Sequence, residues 1–130
     1  MVKAQSSQVV SMDIDSTWQK FLSHKVNSFI KWDLVRFFHD NPHTVDTAES
    51  IAKVVGRDAN TVVSELDGLV KAEVLVTETV SGQGIYRLSG DSDTRQLLSE
   101  FVSACHDRDF RVRAINQVIH GMGFSPRRDF

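Results

Sequence analysis

Few side chains of this chain are equipped for covalent or metal chemistry. Cys105 is the single cysteine, and the histidines are His24, His39, His43, His106 and His120. A structural zinc needs about four ligands, and no cysteine pair is present to begin one. His39 and His43 stand four apart but straddle Pro42, which removes the helical geometry that would aim both at one ion. A cysteine senses oxidants through thiolate character and exposure. Cys105 instead falls in an apolar seam, where a small buried hydrophobe is the ordinary reading. His106 adjoins it, but neighbouring helix residues do not face one another. No Ser-His-Asp arrangement, Gly-rich phosphate loop or His-Glu-x-x-His spacing occurs. The residues therefore point away from an enzyme, a cofactor or a metal. They point to non-covalent recognition by amide, hydroxyl and cationic side chains.

The composition sets the frame for such recognition. A chain of 130 residues is by default one domain and buries roughly two-thirds of its unfolded surface. Its hydrophobic fraction of 41% and charged fraction of 25% are ordinary for a globular protein. The formal net charge of -2 does not announce nucleic acid, since small DNA-binding domains are often strongly basic. Local patches still count for more than totals. One cysteine allows no intrachain disulfide and predicts a reducing, cytoplasmic setting. The first residues lack the apolar core of a signal peptide, and no run is long enough to span a membrane, so no membrane partner is expected.

The elements follow from spacing. Between Ser16 and His39 the apolar residues Trp18, Phe21, Leu22, Val26, Phe29, Ile30, Leu34, Phe37 and Phe38 step by threes and fours, as in a helix. The segment reads as one helix or as two joined near 25–28, ended by Asp40-Asn41-Pro42. Trp32 falls off that stripe, which suits plain core, a dimer contact or an apolar effector pocket. His43-Thr44-Val45 reads as a short extended rung. Asp46, with Glu49 three residues on, predicts a capping box for a helix over 47–55. Gly56 supplies the positive φ of its end. Asp58 caps the next helix, whose inner stripe is Ala59, Val62, Leu66, Leu69 and Val70. Residues 74–80 read as a strand, Ile85-Tyr86-Arg87-Leu88 as its partner, and Ser81-Gly82-Gln83-Gly84 as the hairpin loop. From Asp91 to Gly121 a seam of Leu98, Phe101, Cys105, Val112, Ile115, Ile119 and Met122 predicts helix able to pack on a partner helix. His106-Asp107-Arg108-Asp109 is the place where it could divide in two.

The order helix, tight turn, helix, hairpin over about 34–88 resembles the winged helix-turn-helix superfamily, in the manner of ArsR-like and MarR-like transcriptional regulators. Ser50-Ile51-Ala52-Lys53 is similar to the first motif helix, and Gly56 sits at the turn glycine. Asn60-Thr61-Val62 is similar to the start of the recognition helix, with Leu66 and Leu69 as its anchors. Ile85-Tyr86-Arg87-Leu88-Ser89 is similar to the strand that closes the wing. The resemblance implies a mostly α fold with a small β-hairpin wing, flanked by N- and C-terminal helices. It divides the chain into a flexible tail (1–12), a winged-helix domain with flanking dimerisation helices (13–122) and a second flexible tail (123–130). The chain departs from the pattern in carrying Glu65 and Asp67 on the outward side of the recognition helix, Glu73 where a glycine usually precedes the wing, and no cation at the wing tip.

What the resemblance implies for function is a homodimer on double-stranded DNA. Asn60, Thr61 and Ser64 would meet base edges, Asn being able to pair bidentately with adenine. Lys53, Arg57, Lys71 and Arg87 would neutralise phosphates. Arg111, Arg113, Arg127 and Arg128 are better explained as surface ion pairs and a solubilising tail than as a phosphate clamp. The alternative is a winged-helix protein-protein interaction module without direct DNA binding, its acidic helix face meeting a positive partner.

Overall fold

Every helix of the computed structural model begins on a side chain that caps it; the structure describes residues 14–123. Asp15 starts α1 (Ser16–His24) and Ser28 starts α2 (Phe29–Asp40). Thr47 starts α3 (Ala48–Val55) and Asp58 starts α4 (Ala59–Lys71). Asp91 starts α5 (Ser92–Ala104) and Asp107 starts α6 (Arg108–Gly121). Each cap oxygen accepts from an otherwise orphaned first-turn amide, a bond worth about 1 kcal/mol. The long N-terminal and C-terminal helical regions are thus each two helices, broken where a new cap occurs. The cap of α3 differs from expectation. Asp46 accepts from the N–H of Thr47 (2.8 Å), and it is Thr47 whose hydroxyl accepts from Ser50 N–H (3.2 Å). The helix starts one residue later because Thr47 is still held in a strand.

That strand, β1 (Val45–Thr47), joins β2 (Leu75–Val80) and β3 (Gln83–Leu88) in an antiparallel sheet of order β1-β3-β2. Val45 pairs with Arg87 and Thr47 with Ile85. Val80 pairs with Gln83, so the hairpin turns on Ser81 and Gly82 alone. Both have positive φ, 52° and 81°, as tight hairpins whose twist matches the strands require. The expected four-residue loop is therefore half turn and half strand. The result is a mostly helical fold with a small β wing.

One continuous apolar core holds it together, with two centres. Val62, Leu66 and Leu69 of α4 are fully buried, with Ile51 and Ala52 of α3 and Val74, Leu75 and Leu88 close to it. On the other side Phe101 of α5 is the hub of an aromatic cluster. Its ring centroid lies 5.0 Å from Phe21, 5.2 Å from Trp32, 5.8 Å from Trp18 and 6.2 Å from Phe110. Trp32, read as off the stripe, is in this core. Helix α6 packs on α1, and α5 on α2. The C-terminal seam does not run straight through. Leu98 and Phe101 are buried, but α6 turns Ala114 and Val118 inward and leaves Val112, Ile115 and Met122 exposed. The tail expected at 1–12, and all but Gly123 of the one expected at 123–130, lie outside the described residues.

Candidate nucleic-acid interface

The α3–α4 unit is rigidly built. Gly56 ends α3 at φ 73°, a conformation costly for any residue with a Cβ, and Arg57 N–H returns to the Ala52 carbonyl (3.0 Å). Asp58 then caps α4 by accepting from Thr61 N–H (3.1 Å). The C-terminal end of α4 is equally closed. Val74 N–H donates to Leu69 O and Glu73 N–H to Val70 O, both 2.9 Å, the paired bonds of a Schellman ending. Glu73 takes the left-handed residue of that motif at φ 67°, so it adopts the conformation a glycine would, at a steric cost.

With Val62, Leu66 and Leu69 inward, the opposite ridge of α4 carries Asn60, Ser64 and Lys71, all exposed. None of the three makes a side-chain hydrogen bond or ion pair among the described residues. Of the two acids on α4, Asp67 is exposed and shares this ridge, between Ser64 and Lys71, whereas Glu65 lies on its flank. Glu65 turns toward α2, where it accepts from the Ser28 hydroxyl (2.5 Å) and stands 3.8 Å from Lys31 Nζ. Asp67 turns toward the sheet and accepts from the Tyr86 hydroxyl (2.8 Å). Burial, with that acid beside it, pushes the Tyr86 phenol up to about 12. Each acid anchors α4 to a neighbour.

Six of the seven residues predicted for DNA contact lie on α3, α4 and the turn between them. Lys53 is exposed on α3. Thr61 spends its hydroxyl on Asp58 (3.3 Å). Arg57 donates to Asp33 of α2 (2.5 Å), both side chains about 40% exposed, and so ties the turn to α2. Arg87 is placed elsewhere. Strand alternation puts it on the sheet face opposite Tyr86, where it pairs with Glu78 (3.3 Å). The wing tip holds Ser81 and Gly82 and no cation.

Spacing alone missed the side chains that position α4, namely Ser28, Lys31, Asp33 and Tyr86. One signal was present in Gly68, a glycine inside a helix, which often marks a close approach. Here a Cβ would sit 2.7 Å from Cε of Lys31, whose chain crosses α4 at that point and reaches Asn27 Oδ1 (2.8 Å).

Cys105 is half-buried, and burial pushes its thiol up to about 11 against the opposing pull of Arg111 and Arg36. A thiol raised in this way carries little thiolate at neutral pH, the form that oxidants attack. No group of three or more metal-ligating side chains occurs among the described residues. No helix among them is long and apolar enough to cross a membrane. No family model, curated protein or solved structure matches the chain.

Proposed function

We propose that this chain is a winged helix-turn-helix transcriptional regulator that binds double-stranded DNA as a homodimer in the cytoplasm. The carrying observation is the outer ridge of α4, where Asn60, Ser64 and Lys71 stand exposed without partners, while Asp67 among them is taken up by the Tyr86 hydroxyl and Glu65 is held to the flank. An amide and a hydroxyl one turn apart suit base edges, and Lys71 with Lys53 suits phosphates. The stripe of Val112, Ile115 and Met122 on α6, 44%, 37% and 39% exposed, supports a second copy there. Two α4 helices would then enter successive major grooves about 34 Å apart. Selection from a random double-stranded DNA pool, followed by a salt titration, tests the reading. Enrichment of a near-palindrome with affinity falling as salt rises supports it. No enrichment at low salt overturns it.

A second reading, a protein-interaction module of the same fold, is favoured by one observation. Arg57 and Arg87 are engaged by acids and the wing tip is uncharged, leaving few free cations for phosphate. Failure of DNA selection together with loss of a protein partner on replacing Asn60 and Ser64 would select it.

A further inference from the structure

A cavity of about 410 Å³ opens where α2, α5 and the start of α6 meet. Trp32 and Val102 give it an apolar wall, and Cys105, His106, Arg36 and Arg111 complete it. Its size falls within the roughly 300–1,000 Å³ of small-molecule sites. Both guanidinium side chains line the same cavity, one from α2 and one from α6. Arg111 uses Nη1 on the Cys105 carbonyl (2.8 Å). Arg36 has no hydrogen bond or ion pair among the described residues. Asp40 also borders the cavity, but the group beside its carboxylate is His39 Nδ1, 3.3 Å away. No carboxylate lies within ion-pair distance of either arginine. Two arginine forks, neither in an ion pair, set beside an apolar wall, match an oxyanion carried on an apolar body.

We propose that this cavity binds a small organic acid, its carboxylate held by Arg36 and Arg111 and its apolar part against Trp32 and Val102. The site is also placed to report to α4. On α2, Trp32 and Arg36 alternate with Lys31 and Asp33, which hold Glu65 of α4 and Arg57 of its entry turn. A ligand that shifts α2 therefore moves the side chains that orient α4; this regulatory consequence rests on the proposed DNA-binding function, whereas binding itself does not.

Titration calorimetry on the full chain, without DNA, tests the site with benzoate as probe, benzamide as its uncharged match and inorganic phosphate as an anion without an apolar part. Benzoate is expected to bind measurably, more tightly than either control. Arg36→Gln, which breaks no intramolecular contact, should weaken it roughly ten- to hundredfold. Val102→Phe should weaken it by filling the cavity, and both variants should keep the circular dichroism of the parent. Absence of benzoate binding, equal binding of benzamide, or indifference to Arg36→Gln overturns the proposal. Phosphate binding as well as benzoate overturns the organic-acid assignment. On an enriched DNA sequence, benzoate should change the affinity. Benzoate binding without any DNA binding would leave the cavity intact and sink the regulator.

Discussion

Helices α4 and α6 are both amphipathic, and they treat their outer faces in opposite ways. The outer ridge of α4 is polar, with Asp67 on it bound by Tyr86 and Glu65 on its flank bound by Ser28. The outer stripe of α6 is apolar, with Val112, Ile115 and Met122 open to solvent. Their inner faces differ as well. The α4 core uses Val62, Leu66 and Leu69, whereas α6 approaches α1 through the smaller Ala114 and Val118. A polar ridge free of partners is stable in water and available to a polar ligand. An apolar stripe is costly in water and is relieved by a like surface.

Four measurements would break or sharpen this contrast. The largest effect is expected from Phe101→Ala, which empties the hub beneath α1, α2 and α6. It should lower unfolding free energy by about 3–5 kcal/mol, read from urea denaturation. Amide exchange should rise first in α6 and α1, and a rise that begins in α4 would mean that the core opens as one unit. Next, the double change Val112→Glu with Ile115→Glu should abolish self-association in sedimentation equilibrium. It should alter the stability of the single chain by under about 0.5 kcal/mol. A parent chain that is already monomeric at high concentration would show that the stripe has no partner copy. Glu73→Gly relieves the left-handed strain at the end of α4 and should stabilise by about 0.5–1 kcal/mol. A loss of stability there would mean the glutamate side chain contributes more than its backbone costs.

The smallest effect concerns the Asp67–Tyr86 bond. Tyr86 is the chain's one tyrosine, so tyrosinate absorbance reports it alone. Its midpoint should lie near 12 and fall toward the ordinary value of about 10 in Asp67→Asn. The folded phenol titrates above the unfolded one. Its contribution is therefore complete below about pH 10 and is lost as pH rises toward about 12. A parent midpoint near 10 would show that the phenol is neither buried nor bound to Asp67 in solution.

Local chemistry was readable wherever a few consecutive residues decide it. Asp58 and Gly56 marked the ends of α4 and α3, and the glycine-bearing hairpin was placed, because caps and positive φ are set within about four residues. The cap at α3 slipped by one because strand pairing of Thr47 with Ile85 is a contact between distant segments. The same limit explains the acids on α4. Spacing gives the angle of Glu65 on its helix, but not that Ser28, 37 residues earlier, waits on that side. It explains α6 too, where the period runs on from the buried Leu98 and Phe101 into the exposed Val112, Ile115 and Met122 because the chain starts a new helix at Asp107. Arg87 was read as a phosphate contact from its closeness to the wing, whereas the alternation of β3 sends it to the far face.

The self-capped helices have a consequence for how the chain reaches this state. Each helix start among the described residues is specified by its own cap and the turn it opens, so the start of each is set without a distant contact. The β1–β3 pairing, in contrast, brings Val45 to Arg87 across the whole of α3, α4 and β2. Closing that loop carries the largest entropic cost in the wing. In a refolding experiment helical signal should return ahead of the third strand, with the α3–α4 unit formed but its entry not yet clamped against the sheet.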